Sequence, residues 1–224
     1  MLIDTKRTAA GLIGATALLL ATAAHAQDGL RVGLFAQGVF ADAKVVEITP
    51  AVAPPPPPPP PIEDTDGSAS LDSFGGGVSL GYDFKLGGPW RLGIEGDFSL
   101  ARADTTYNGN NYGTDWLATL RARAGYNVTP RLLVYLTGGA AWLDADYSGA
   151  AAPPAPAPVQ NNSKLLNGWT IGGGGELTSG AMTYFAEYLY ADFETWRFSK
   201  GAELYIVDAD AHIVRAGVKL KLGN

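Results

Sequence analysis

Alternation of apolar with polar residues at a period of two recurs eight times along this chain, and no feature constrains its fold more tightly. The segments run approximately over Gly29 to Val46, Ser70 to Lys85, Pro89 to Arg102, Thr114 to Asn127, Arg131 to Tyr147, Leu166 to Thr178, Met182 to Thr195 and Asp210 to Leu222. A period of two is the spacing of a strand with two chemically different faces, whereas a helix would repeat near 3.6. The connections between segments alternate in length. Three are tight, at Leu86 to Pro89, Val128 to Pro130 and Ser179 to Ala181, while four are long and polar, at about Glu47 to Ala69, Ala103 to Gly113, Ser148 to Leu165 and Trp196 to Ala209. Strict alternation around an even number of antiparallel strands puts every tight turn at one end and every long loop at the other. That is the asymmetry of an outer-membrane barrel, with short periplasmic turns and longer outer loops. The fold expected is therefore all-β, an eight-stranded antiparallel up-and-down transmembrane β-barrel.

Proline and glycine fit the same scheme. Of the 15 prolines, 13 lie in the tracts Pro50 to Pro61 and Pro153 to Pro158, and the other two, Pro89 and Pro130, sit at tight turns. Proline cannot donate to a ladder, so a closed sheet keeps it at its ends. Glycine instead clusters inside strands, at Gly75 to Gly77 and Gly172 to Gly175, where it permits close approach and curvature. The run Pro54 to Pro61 is expected to form a polyproline II spacer in the first outer loop, carrying an acidic tip at Glu63 to Asp66. This reading takes Gly29 to Val46 as the first strand. The alternative, a periplasmic tail followed by seven strands, sits poorly with the even strand counts of bacterial barrels.

Residues 1 to 26 have the form of a secretory signal peptide. Lys6 and Arg7 precede the apolar stretch Ala9 to Ala23, and Ala24-His25-Ala26 supplies a small-x-small site, placing cleavage between Ala26 and Gln27. The apolar run is shorter than the ~20 residues of a spanning helix. Residues 27 to 224 are then the barrel, with Pro-rich outer loops at about 47 to 69 and 148 to 165.

The two faces of the strands carry different chemistry. One is apolar and uncharged through its middle, as in Trp90, Leu92, Ile94, Gly96, Phe98 and Leu100, or Trp116, Ala118, Leu120, Ala122, Ala124 and Tyr126. The other collects nine basic and five acidic residues: Arg31, Asp83, Lys85, Arg91, Glu95, Asp97, Arg121, Arg123, Arg131, Glu176, Glu187, Arg215, Lys219 and Lys221. Trp90, Trp116, Trp142 and Trp169, with Tyr188 and Tyr190, stand on the apolar face as an aromatic girdle, which selects lipid rather than a protein core as its neighbour. The charged face then lines a lumen that eight strands leave just wide enough for side chains to fill. Charges in that volume must pair. A lumen network is expected from Glu95, Asp97, Arg121, Arg123, Glu176, Glu187, Arg215 and Lys219, with Glu95 and Asp97 pairing Arg121 and Arg123, and Glu187 pairing Arg215.

Composition excludes several functions. With no cysteine and two histidines, thiol chemistry, disulfides and a histidine metal cluster are absent from the options. A net charge of −6 disfavours nucleic acid. His212 lies on the lipid-facing side, but the next residue on that face is Val214 rather than a serine nucleophile. No enzyme, cofactor or metal is expected.

Several segments resemble the small outer-membrane barrels of alphaproteobacteria, a porin-family group related to opacity-type proteins and to the membrane domain of outer-membrane protein A. They are Gly93 to Phe98, Leu120 to Tyr126, Tyr135 to Ala140, Gly168 to Gly174, Ala186 to Tyr190 and His212 to Gly217. The resemblance implies a non-enzymatic protein of the outer membrane of a Gram-negative envelope. Its partners would be outer-membrane lipid and lipopolysaccharide, and the barrel assembly machinery. The leading expectation is a structural role in envelope integrity and surface display. A narrow porin for small solutes and an adhesin acting through the Pro-rich acidic loops, toward an unknown surface ligand, are the alternatives.

Overall fold

A computed structural model describes residues 29–48, 63–107, 110–149, 160–200 and 203–222. The expected signal peptide with its cleavage site at Ala26 and Gln27, and the octaproline, lie outside them. The described residues form strands β1 (Leu30–Ile48), β2 (Glu63–Lys85), β3 (Trp90–Tyr107), β4 (Asn110–Asn127), β5 (Leu132–Gly149), β6 (Gln160–Ser179), β7 (Met182–Phe193), β8 (Trp196–Lys200) and β9 (Glu203–Leu222). Each pairs antiparallel with the next around the sheet, and β9 returns to β1 from Leu30↔Leu222 to Ile48↔Leu204, so the sheet closes. β1 is thus held on both sides, by β2 and by β9, and the first strand precedes the prolines.

The barrel has eight staves although nine strands are distinguished, because β7 and β8 both run along β9. Asp192 faces Asp210 at the end of β7, and Trp196 faces Val207 at the start of β8, a one-residue slip across Glu194 and Thr195. Similar register slips lie between Val45 and Glu47, Leu100 and Ala103, and Thr114 and Leu117, all on the loop side. Bulges at barrel rims re-aim strands and sharpen their twist.

The strands continue well beyond the ends read from hydropathy. Expected loops at 103–113 and 196–209 are largely paired strand, with Tyr107 facing Asn110 and Lys200 facing Glu203. The ladder also runs to Ile48↔Glu63 and Gly149↔Gln160, so the first and third outer loops are narrower than 47–69 and 148–165. The physical reason is that alternation reports the band in contact with lipid, whereas backbone pairing continues wherever N–H and C=O groups need partners. Past the membrane rim both faces can be polar, so the period-two signal fades while the hydrogen bonds persist.

At the other end the turns are short. Gly87 and Gly88, in the link between β2 and β3, have φ of 95° and 60°, and Gly180, in the two-residue link between Ser179 and Met182, has φ of 62°, left-handed values that glycine adopts without steric cost. Thr129 Oγ1 accepts from the backbone N–H groups of Arg131 and Leu132, closing the β4–β5 turn.

The outward face is the apolar one. Leu34, Phe74, Ile94, Leu120, Leu136, Ile171, Val214 and Leu220 are exposed, Phe74 by 85% and Leu136 by 72%. Trp90 packs edge-on against Tyr126 near the turn end, with ring centroids 5.0 Å apart, while Phe98 stacks on Trp116 at 5.6 Å and Trp169 meets Tyr190 at 5.6 Å on the loop side. On β3 the distance from the lower belt at Trp90 to Leu100, which faces Trp116, is ten residue steps. At about 3.3 Å per step and a tilt near 45°, this gives a band about 23 Å tall, close to the ~25 Å apolar band of such barrels.

Candidate functional site: the lumen

Inside the barrel, strand register and barrel closure bring five cations and five carboxylates together. Arg121 sits at the centre with a fully buried side chain. Its Nη2 donates to Glu95 Oε1 at 3.1 Å and to Asp97 Oδ2 at 2.8 Å, its Nη1 donates to Glu187 at 3.0 Å, and its Nε donates to Thr119 Oγ1 at 2.9 Å. Arg215 donates through Nε to Glu187 at 2.6 Å and through Nη1 to Asp97 at 3.0 Å. Closer to the turns, Arg123 bridges Glu95 and Glu176, and Lys219 bridges the same two carboxylates from the opposite wall. Arg31 completes the set by spanning Glu176 at 2.6 Å and Asp83 at 3.0 Å.

The register explains part of this set. Glu95 faces Arg121 directly on the neighbouring strand, and Glu187 faces Arg215. The contacts of Lys219 with Glu95 and of Arg215 with Asp97 cross the lumen between strands distant in the ladder, and closure alone brings them together. Arg123 takes Glu95 and Glu176 as its close partners rather than Asp97, whose cations are Arg121 and Arg215. The buried network is balanced, with Arg31, Arg121, Arg123, Arg215 and Lys219 against Asp83, Glu95, Asp97, Glu176 and Glu187. The basic excess seen in sequence on this face belongs to the turn end, where Lys85, Arg131 and Lys221 are exposed and Arg91 is half-buried.

Three aromatic side chains that composition did not single out complete the packing. The Arg123 guanidinium lies over the Tyr135 ring at 4.0 Å, Lys219 Nζ over Phe185 at 4.5 Å, and Arg215 over Phe35 at 4.9 Å. Attraction between cations and ring faces holds the charged heads while the rings fill volume. The glycine runs make room for them. A Cβ on Gly77 would lie 2.6 Å from Phe35 Cζ, and one on Gly174 would lie 2.8 Å from the Tyr135 hydroxyl.

Toward the loops the lumen changes character. Val39, Leu117, Ala141, Ala145, Leu166, Leu189, Ala191, Phe193, Trp196, Ala211 and Ile213 form one buried apolar cluster, and Leu189 and Ile213 have no exposed surface. The alternation of the sequence puts Trp196 at the start of a loop. Instead, the extension of the seventh stave turns it inward, onto a plug that caps the ionic layer. The expected girdle residues Trp90, Trp116, Trp142, Trp169, Tyr188 and Tyr190 all lie on the outward parity of their strands. Also outward, His212 Nδ1 is 2.6 Å from the Tyr188 hydroxyl, between the rings of Tyr188 and Tyr190.

A closed barrel with an apolar belt outside and charge inside belongs to lipid, and a comparison of sequences gives it a family. The family model described as outer membrane protein beta-barrel domain matches residues 9–221. The chain belongs to this family. Among curated relatives, the 31 kDa outer-membrane immunogenic protein of Brucella melitensis is 32% identical over 176 residues, covering 69% of this chain and 70% of the relative. The 22 kDa outer membrane protein of Rhizobium leguminosarum is 30% identical over 151 residues, covering 66% of each. Among solved structures, Ail, the attachment invasion locus protein of Yersinia pestis, aligns with 86% of this chain and 100% of its own at 15% identity and a TM-score of 0.45. This outer-membrane barrel therefore resides in the outer membrane of a Gram-negative envelope.

Proposed function

We propose that this outer-membrane barrel is a structural, non-conducting and non-enzymatic component of the envelope that anchors surface-exposed hairpins and contributes to envelope integrity. One observation carries the reading: two successive layers, one ionic and one apolar, obstruct the lumen. An ion entering from the periplasm meets carboxylates and cations already paired with one another. It would then have to cross a plug in which Leu189 and Ile213 offer no polar group. Moving a bare charge into such surroundings costs several kcal/mol. Its partners on this reading are outer-membrane lipid and lipopolysaccharide along the apolar belt, and the assembly machinery during insertion. The proposal includes no catalysis: on the outward face His212 is followed by Val214 rather than a serine nucleophile, and its Nδ1 lies 2.6 Å from the Tyr188 hydroxyl.

The test pairs two measurements. A deletion strain should become more sensitive to detergent and large antibiotics, and complementation by the full chain should restore resistance. Purified protein in planar bilayers should add no conductance. A deletion strain with an unaltered permeability barrier would remove the envelope role, and stable channels would remove the closed lumen.

A further inference from the structure

We propose that the periplasmic end of the lumen holds a binding site for one small inorganic anion of chloride size, a site independent of the envelope role. A recess with about 160 Å3 of empty space, part of it open to solvent, lies among Asp83, Arg91, Gly93, Arg123, Leu133 and Tyr135. Its enclosed part has room for one water-sized guest. Three buried polar atoms of the lining residues have no hydrogen-bond partner: Arg123 Nε, the Tyr135 hydroxyl and Asp83 Oδ2, the last lying 3.0 Å from the Arg31 guanidinium. Leaving such groups bare costs ~1–3 kcal/mol each, so a guest is called for.

The charge around the recess selects the kind of guest. Of the three unpartnered atoms, Arg123 Nε and the Tyr135 hydroxyl can donate, and the Asp83 carboxylate has its charge met by arginine. Arg91 adds a third donor group: its Nε donates to Asn127 Oδ1 at 3.3 Å, and no carboxylate pairs with it among the described residues. The ion-pair network above is balanced, so Arg91 is a cation in excess, and the neighbouring rim adds the exposed Lys85 and Arg131. The one carboxylate in the lining is Asp83. Arg31 lies 3.0 Å from its Oδ2 and Arg123 lies 3.9 Å from its Oδ1, so its charge is met on both sides. Among the described residues of this end no carboxylate is exposed. Fixed cations around a low-dielectric opening concentrate anions there. Small size follows from Gly93 and Gly125, whose missing side chains open the recess, and from the Tyr135 ring that floors it beneath Arg123.

The probe is bromide, which scatters anomalously. Crystals of the full mature chain grown with sodium bromide should show an anomalous peak within hydrogen-bond reach of Arg123 Nε and the Tyr135 hydroxyl. In detergent at fixed ionic strength, replacing gluconate by bromide should raise the thermal midpoint along a saturating curve, as binding to the folded state alone requires. Tyr135→Phe keeps the ring under Arg123 and removes one donor, and Arg91→Gln removes the excess charge at the rim. Each should raise the bromide concentration at half-saturation about tenfold, the effect of losing one charge-assisted hydrogen bond. A recess without an anomalous peak, holding water only, would overturn the proposal. So would a bromide response that is identical in wild type and both folded variants.

Discussion

Removing the central cation of the lumen, Arg121, by substitution with methionine keeps most of its volume and deletes its charge. Three carboxylates then lose a partner: Glu95, Asp97 and Glu187, all buried. Glu95 keeps Arg123 and Lys219, and Asp97 keeps Arg215. Glu187 retains Arg215 alone. The interior then holds five carboxylates against four cations, and the uncompensated charge sits where water is excluded. Breaking a buried pair by deleting one member costs about 3–5 kcal/mol, and we expect Arg121→Met to fall in that range. A second substitution, Glu187→Gln, returns the interior to four of each and keeps a hydrogen-bonding group in place. The double variant should therefore be more stable than Arg121→Met alone, by about 1–3 kcal/mol, a coupling within the range of direct neighbours. Urea unfolding of the refolded barrel in lipid vesicles, followed by tryptophan fluorescence, gives both numbers. A single variant within about 1 kcal/mol of wild type, or a double variant less stable than the single, would refute the balanced-network reasoning.

Other perturbations probe the remaining layers. Leu120→Arg, at mid-band, should cost about 2–4 kcal/mol in the same vesicles, whereas Leu100→Arg, equally exposed but level with Trp116, should cost about 0–1 kcal/mol. Trp196→Ala should lower stability by about 3–5 kcal/mol through the cavity it leaves in the loop-side cluster, while the ionic layer keeps the lumen closed to ions in the bilayer assay. The chain has no cysteine, so Glu63→Cys should react with an impermeant maleimide on intact cells, and Gly87→Cys, in a tight turn, only after the outer membrane is permeabilised.

The lumen charges were legible in sequence because they alternate with the lipid-facing residues inside the band where hydropathy has contrast. Glu95 and Arg121, or Glu187 and Arg215, could be paired on paper, since neighbouring strands fix their register. The contacts of Lys219 with Glu95 and of Arg31 with Glu176 could not, because they depend on closure and on stagger around the barrel. Trp196 reads as loop because a bulge at Glu194 and Thr195 interrupts the period just before it. The apolar plug is hidden in the sequence for a related reason. Leu117, Leu166, Leu189 and Ile213 share the lumen parity of the charged residues, but hydrophobicity on both faces removes the contrast that alternation needs. Glycine runs were conspicuous, yet their purpose appears only beside Phe35 and Tyr135, far away in the chain.

The central claim is a lumen closed by an ionic layer and an apolar layer in series, and single-channel recording on the refolded wild-type barrel in a planar bilayer tests it most directly. We predict insertion without unitary current steps across the voltage range the membrane tolerates. Reproducible, long-lived openings whose ion selectivity shifts in Arg121→Met would show that ions travel through the paired charges, and would contradict the account.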